Sequence, residues 1–463
     1  MLTDIRIHAV EATYTNETCR TPLKFGAVIV DEVPFCRVKV VVENGRGDVA
    51  EGWGGIFLMD LWAWPTPELP HQAKSAAMLE INRRYCCLVE SATEAYHPID
   101  LFVALEPELA RLNREVCAEM ALSPEQPFLG ALVCASPVDA AVHDAFGNVN
   151  GIDSYGGYGP DFMCRDLSAF VGSEFKGRYP AQYIRPEYLP EVPIFHLVGG
   201  LDKLTRAEVD DSDPQDGLPN CLEDWVARDG MFCLKVKLRG TDLEWDIDRT
   251  LAVHRIGRME LAKLGEERLY LSADTNEQCE DPAYIVEYLR RIREANPQCF
   301  QDILYIEQPT ERDLTAHRWD MRPIAALKPV LIDESLASPE DFRLAVELGW
   351  SGIALKSCKC LSEDLLFLAM AELEGIPYAV QDLTNPSLAL LESVGLAARI
   401  RTIRGVEANS RQFAPRANIR VARAHAGLCE IRDGYADTSS LGGAGLGYRM
   451  AEIAPDGWPF ATS

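Results

Sequence analysis

The sequence predicts an α/β protein: a (β/α)8-type, TIM-like barrel with an α+β capping domain built from the N-terminal part and the C-terminal tail. Three observations predict it. Five short apolar runs between Phe232 and Lys356 end in charged residues: FCLKVKL, LYLSADTNEQ, LYIEQP, VLIDES and GIALKSCK. The segments between them have helical periodicity, and the key charges stand at 237, 274, 307, 333 and 356, so successive gaps are 37, 33, 26 and 23 residues. That is a repeating strand–helix unit, the mark of a parallel sheet closed into a barrel. The first 130 residues or so follow a different pattern, of long alternating strands followed by helices, which is a common size for a separate unit.

Taken in order, residues 4–14 alternate as a strand does, and Arg20 to Gly26 interrupts the alternation as a mobile loop. Two strands follow, joined around Asn44-Gly45 and Gly47-Asp48, a hairpin signal. Residues 72–92 and 104–120 read as helices. The stretch 136–151 reads as another, with Ser136 as N-cap and Gly151 at its far end. The cap is placed at 1–130, the barrel at 131–415 and the returning tail at 416–463. Residues 152–190, rich in Gly, Tyr and Pro, read as an insertion laid on the surface near the site. Residues 203–222 hold a second insertion, including a solvated acidic loop that lacks the spacing of a calcium site. VPIFHLVGG at 192–200 starts the barrel, the five charged runs follow, and GIPYAVQD and GVEANSRQ give the seventh and eighth strands. The glycines of LGGAGLGYRM mimic a dinucleotide fingerprint, but no strand–turn–helix unit surrounds them, so they read as a loop returning to the cap.

Composition narrows the function. With 71 acidic against 45 basic residues the formal charge is −26, which argues against nucleic acid or an anionic membrane as partner. The 14 cysteines are scattered without zinc-ribbon or redox-pair spacing, as expected of reduced thiols. No basic-then-apolar leader and no run of about 18 apolar residues occurs, so cytoplasm is the expected location.

In such barrels the C-terminal ends of the strands carry the chemistry. Asp274, Glu307 and Asp333 end three consecutive strands. Any one of them could cap a helix or pair with an arginine. Three at one mouth repel each other unless a cation sits between them, and hard oxygen donors suit Mg²⁺. Lys235 and Lys237, two apart on one strand, face the same side. Each should disfavour the other's protonation and pull a lysine down from about 10.4. Lys356 lies on the sixth strand, four strands away in a ring of eight, and so opposite. Lys237 and Lys356 would then address opposite faces of one substrate carbon.

These pieces, K-V-K at 235–237, A-D-T-N at 273–276, I-E-Q-P at 306–309, I-D-E-S at 332–335 and A-L-K at 354–356, resemble the enolase superfamily, most of all its muconate-lactonizing and mandelate-racemase-like members. The helix at 141–151, G-A-G-L-G at 443–447 and the split cap are similar too. The resemblance implies Asp274, Glu307 and Asp333 as metal ligands, Lys237 and Lys356 as the acid/base pair, and Lys235 tuning Lys237 and contacting the substrate carboxylate. Asn276 and Glu334 would support the ligands, and Glu407 would hydrogen-bond the substrate carboxylate. The segments 20–26 and 53–64 would close the site, bringing Lys24 and Trp53 to the substrate. Three departures stand out. Cys360-Leu361 replaces the usual Gly-Gly, E-A-N on the eighth strand replaces the D-x-D of dipeptide epimerases, and Gln381-Asp382 on the seventh includes no His.

The expected activity is Mg²⁺-dependent abstraction of the proton alpha to a carboxylate, giving a metal-stabilised enediolate. The two opposed lysines favour a racemase, epimerase or cycloisomerase acting on a small carboxylic acid, with an acid-sugar dehydratase as the alternative. A Schiff-base aldolase on the same fold and a non-catalytic metabolite binder are the more distant readings. A homo-oligomer is expected, since capped barrels often pair.

Overall fold

A computed structural model describes residues 1–25, 28–455 and 457–458; the side chains of residues 23–30 lie outside the described set. The cap opens with three antiparallel strands in sequence order, β1 (Ile5–Phe25), β2 (Val28–Asn44) and β3 (Val49–Phe57). The β2–β3 turn is held by Asn44, whose Oδ1 accepts from the N–H of Arg46 at 2.9 Å and of Asp48 at 3.1 Å. Four helices follow: α1 (Asp60–Ala63), α2 (His71–Glu90), α3 (Pro98–Glu119) and α4 (Phe128–Asn150). α4 lies directly on β3 because β3 presents glycine there. A Cβ on Gly52 would sit 2.1 Å from the Ala145 nitrogen, and one on Gly54 2.1 Å from the Pro137 carbonyl.

Three local expectations need correction. The segment from Arg20 onward is not a loop: β1 continues to Phe25 and pairs Leu23 with Val30, Lys24 with Ile29 and Phe25 with Val28, after a register shift between Thr18 and Leu23. A register shift breaks the alternation without ending the strand, which is why the sequence looks interrupted there. Gly26 lies outside the described residues. Ser136 is not an N-cap. α4 begins at Phe128, after Pro127, and the apolar run Phe128–Val133 already belongs to it. Pro137 sits inside the helix and has no N–H for the carbonyl of Val133; the Ser136 hydroxyl donates to that carbonyl at 3.0 Å instead. Residues 152–190 are not simply laid on the surface. They run through four single 3-10 turns to the start of the barrel, with Tyr155, Tyr158 and Phe175 buried. This stretch is fixed to the outer helices, with Arg185 N–H donating to the Arg399 carbonyl.

The barrel is complete. Its eight parallel strands are β4 (Glu191–Val198), β5 (Cys233–Lys237), β6 (Tyr270–Asp274), β7 (Ile303–Glu307), β8 (Val330–Ile332), β9 (Gly352–Lys356), β10 (Tyr378–Gln381) and β11 (Val406–Glu407). They are hydrogen-bonded in that order, and β11 pairs with β4 to close the ring. One more strand, β12 (Tyr435–Asp437), adds antiparallel to the outside of β4. Helices cover the strands, so the strands are largely apolar on both faces until their C-terminal ends. Charged residues inside a barrel are costly, and here they gather at the rim where the cap arrives. The tail returns to α4: Gly445 (φ +75°) exchanges backbone hydrogen bonds with Ile152 and Ser154, and Asp144 on α4 accepts from the N–H groups of Leu446 and Trp53. Among the described residues no helix is long and apolar enough to cross a membrane.

Candidate active site

The strand register brings the charged ends together. Lys237 on β5 pairs with Asp274 on β6, and Asp274 with Glu307 on β7. Lys356 on β9 pairs with Gln381 on β10. β5 and β9 are four strands apart in the closed ring, so their lysines approach from opposite sides.

Lys235 is fully buried among three acids, with its Nζ 2.7 Å from Glu307, 2.8 Å from Glu407 and 3.1 Å from Asp274. Lys237 contacts Asp274 and donates to Asn276 Oδ1 at 2.9 Å. Across the mouth, Lys356 lies 2.6 Å from Asp333 and 4.6 Å from the centre of the Trp62 ring. Trp62 belongs to α1 of the cap, and its indole N–H donates to Glu334 at 2.8 Å. Asn276 reaches the same Glu334 oxygen at 3.3 Å. A continuous chain of contacts therefore spans the mouth: Lys237, Asn276, Glu334, Trp62, Lys356.

The electrostatics follow from this crowding. Burial alone would raise the carboxyls of Asp274 and Asp333. The flanking Lys237 and Lys235, and Lys356 and Lys359, hold them below the usual range instead. Glu307 is pushed up to about 8 by burial and then by the charge of Asp274. Glu334 is driven well above its ordinary value by burial and by Asp333 and Glu277. Burial opposes the charge on Lys235 and Lys356, but the acids around them outweigh it and both are raised. For Lys235 this corrects the expectation that a neighbouring lysine would pull it down: three acids within about 3 Å override one like charge.

Several side chains here are given no role by the sequence. Lys359, fully buried in the turn after β9, donates to the Asp333 carbonyl at 2.6 Å and lies 3.1 Å from its carboxylate. Gln381 donates to Glu307, Asn409 to Glu407 at 2.7 Å, and the side-chain oxygen of Gln308 accepts from the N–H of Asp333 at 2.8 Å. Cys360, at the position where the resemblance leads one to expect glycine, has φ +76°, a conformation that favours glycine, so the backbone is strained there. The expected substrate contacts are more scattered. Glu407 is filled by Lys235 and Asn409. Trp53 lies on β3 between Gly52 and Gly54, whose missing side chains face α4, and it packs at 6.4 Å from Trp458. The side chain of Lys24 lies outside the described residues.

Among the described residues no three His, Cys, Asp or Glu side chains are already gathered as a metal site; lysines lie between the acids instead. The donor set nevertheless has more acids than bases. Six buried acids (Asp274, Glu307, Asp333, Glu334, Asp382, Glu407) meet four lysines (Lys235, Lys237, Lys356, Lys359), and the crowding is expressed in the raised carboxyls of Glu307 and Glu334. Both carboxylate oxygens of Asp333 and one of Glu334 are buried without a well-directed hydrogen bond, although two ammonium groups stand close to Asp333. Under-satisfied carboxylate oxygens beside carboxyls raised by crowding are chemically suited to a divalent cation, which would favour their ionised forms.

A family model described as "Enolase C-terminal domain-like" matches residues 218–454. No curated protein matches the chain. Among solved structures, a dipeptide epimerase from Enterococcus faecalis V583, complexed with Mg and L-Leu-L-Tyr, is 16% identical with TM-score 0.61, covering 96% of this chain and 99% of that one. An enolase from Bradyrhizobium, complexed with magnesium and mandelic acid, is 18% identical with TM-score 0.58, covering 98% and 99%. A muconate lactonizing enzyme from Pseudomonas fluorescens, complexed with muconolactone, is 16% identical with TM-score 0.56, covering 96% of each chain. At these identities the structures speak for the fold, whereas the family match spans just over half the chain and takes in every charged strand end from Lys235 to Glu407. The chain belongs to the enolase superfamily, as an enzyme of its muconate-lactonizing and mandelate-racemase-like group.

Proposed function

We propose that the protein abstracts the proton alpha to the carboxylate of a small carboxylic acid, giving an enediolate that is reprotonated on the other face, as in a racemase or epimerase, or that loses a β-group, as in a cycloisomerase. The observation that carries this reading is the pair of lysines on opposite strands, β5 and β9, with the three strand-end carboxylates between them. Lys237, whose side chain is 16% exposed against 4% for Lys356, is the base that meets the substrate from the open side. Lys356, held protonated by Asp333, is the acid on the other face. Acid–base groups of this kind contribute about 10²–10⁴-fold each. Lys235 keeps a fixed positive charge beside the substrate carboxylate, held in place by Glu307 and Glu407. Asn276 and Trp62 fix Glu334, and with it the spacing between the two lysines.

Asp274, Glu307 and Asp333 would hold Mg²⁺, supported by the crowding of buried acids and the under-satisfied Asp333 oxygens. Bound there, the ion would supply positive charge that stabilises the developing enediolate, the general pairing of a Lys or His base with Mg²⁺ in this superfamily. Glu307, whose proton is favoured by crowding alone, would then sit as a carboxylate.

Incubation with candidate acids in D₂O and Mg²⁺ tests the reading. Exchange of the alpha proton with inversion of configuration is expected. A keto product would replace the isomerase by the acid-sugar dehydratase. Substrate-dependent inactivation by borohydride, with indifference to chelators, would replace both by Schiff-base chemistry.

A further inference from the structure

The lysine chain across the mouth borders a cavity whose chemistry the reaction type leaves open. Its volume is about 460 Å³, and its lining includes Asn276, which touches Lys237, and Trp62, which touches Lys356, so it adjoins the two lysines although neither lines it. One wall comes from α1 and the cap segment after it, with Leu61, Trp64 and Pro65 making it apolar. The opposite wall and the rim carry acids. Glu277 and Glu334 are inside, and Glu125 and Glu311 stand exposed at the entrance.

Two bases also line this cavity, and both are committed elsewhere. Arg312 makes a paired contact with the Glu277 carboxylate, its Nε at 2.7 Å, and donates to the carbonyl of Trp62 at 3.0 Å. Lys74 donates to the carbonyls of Trp64 at 2.9 Å and Thr66 at 3.4 Å, with Asp60 at 3.4 Å. A bidentate arginine pair and a saturated ammonium offer little to a second anion. The cavity therefore has an apolar wall, an anionic rim and no uncommitted cation among its described lining residues.

We infer that the substrate is a monocarboxylate whose far end, lodged in this cavity, is apolar or cationic, and that dicarboxylates are discriminated against by the rim acids. This rests on the proton-abstraction reading for where the reacting carboxylate sits. The far end would lie on Leu61 and Pro65, while Glu125 and Glu311 repel a second carboxylate and attract an ammonium.

Binding of three six-carbon probes to the full-length protein in Mg²⁺, measured by calorimetry, tests it without requiring turnover. Hexanoate and 6-aminohexanoate should each bind at least tenfold more tightly than adipate. The double variant Glu125→Lys/Glu311→Lys, both changes at exposed positions away from the lysines, should close that gap to within about threefold. Adipate binding as tightly as hexanoate, a gap unchanged in the double variant, or no measurable binding of any probe would each overturn the inference. Proton exchange in D₂O is scored separately: its absence beside the expected binding order would remove the proposed reaction and leave the cavity's selectivity standing.

Discussion

Two buried polar clusters in this molecule differ in one respect that separates packing from chemistry. At the seam between the cap and the barrel, Asp139 accepts from the Ser362 hydroxyl at 2.7 Å and from its N–H at 2.9 Å. His143 donates to Ser362 at 2.8 Å, and the Tyr158 hydroxyl donates to the other ring nitrogen at 2.7 Å. Every polar atom in that chain has a partner, and burial holds His143 neutral, its pKa lowered to about 3. The barrel mouth is the opposite. Its acids outnumber its lysines, Glu307 is pushed up to about 8, and carboxylate oxygens of Asp333 and Glu334 lack well-directed donors. A satisfied network fixes one packing, whereas under-satisfied carboxylate oxygens leave room for a further ligand.

That contrast can be broken at its strongest point first. Lys237→Ala and Lys356→Ala should each lower turnover by about 10³-fold or more, with far-ultraviolet circular dichroism unchanged. Near-native activity in either would remove its assigned role. Next in size is Lys359→Met. It leaves Asp333 with Lys356 alone, and removing one member of a buried ion pair costs about 3–5 kcal/mol. Urea unfolding should show that loss, and calorimetry should show altered Mg²⁺ affinity; a variant unchanged in both would make Lys359 a bystander.

Metal addition gives a smaller effect of the opposite sign. Mg²⁺ at 100 times its dissociation constant should stabilise the protein by about 2.7 kcal/mol. EDTA should abolish activity and Mg²⁺ restore it. The seam supplies the smallest effect, and it depends on pH. His143 has a folded pKa of about 3 against an ordinary value of 6.5. The unfolded chain therefore binds the extra proton first as pH falls. The stability contributed by neutral His143 is complete above pH 6.5 and is lost as pH drops toward 3. From pH 7 to 5 the wild type should lose about 2 kcal/mol that His143→Gln does not lose, read from urea unfolding at the two pH values. Parallel pH profiles would contradict the burial argument.

Much of the barrel is legible in the sequence, because short apolar runs ended by charges leave few alternatives. All eight strands fall where that pattern places them, and the three acids and three lysines come to one rim. What stays hidden depends on distant contacts. Trp62 lies in the 53–64 segment expected to close the site, but its contact with Glu334 spans 272 residues and nothing local to α1 picks it out. Lys359 reads as an ordinary surface lysine until the turn after β9 folds it under Asp333. The start of α4 is hidden by Pro137, whose usual helix-breaking effect is offset by the preceding serine. The full length of β1 is masked by a register shift that only the partner strand reveals.

The proposed chemistry requires Asp274, Glu307 and Asp333 to gather on one divalent cation between two facing lysines. A crystal soaked in Mn²⁺ and measured at the manganese absorption edge tests it most directly. One anomalous peak is expected in contact with all three carboxylates, with Lys237 and Lys356 on either side. No peak there, with the lysines still seated on the acids, would contradict it.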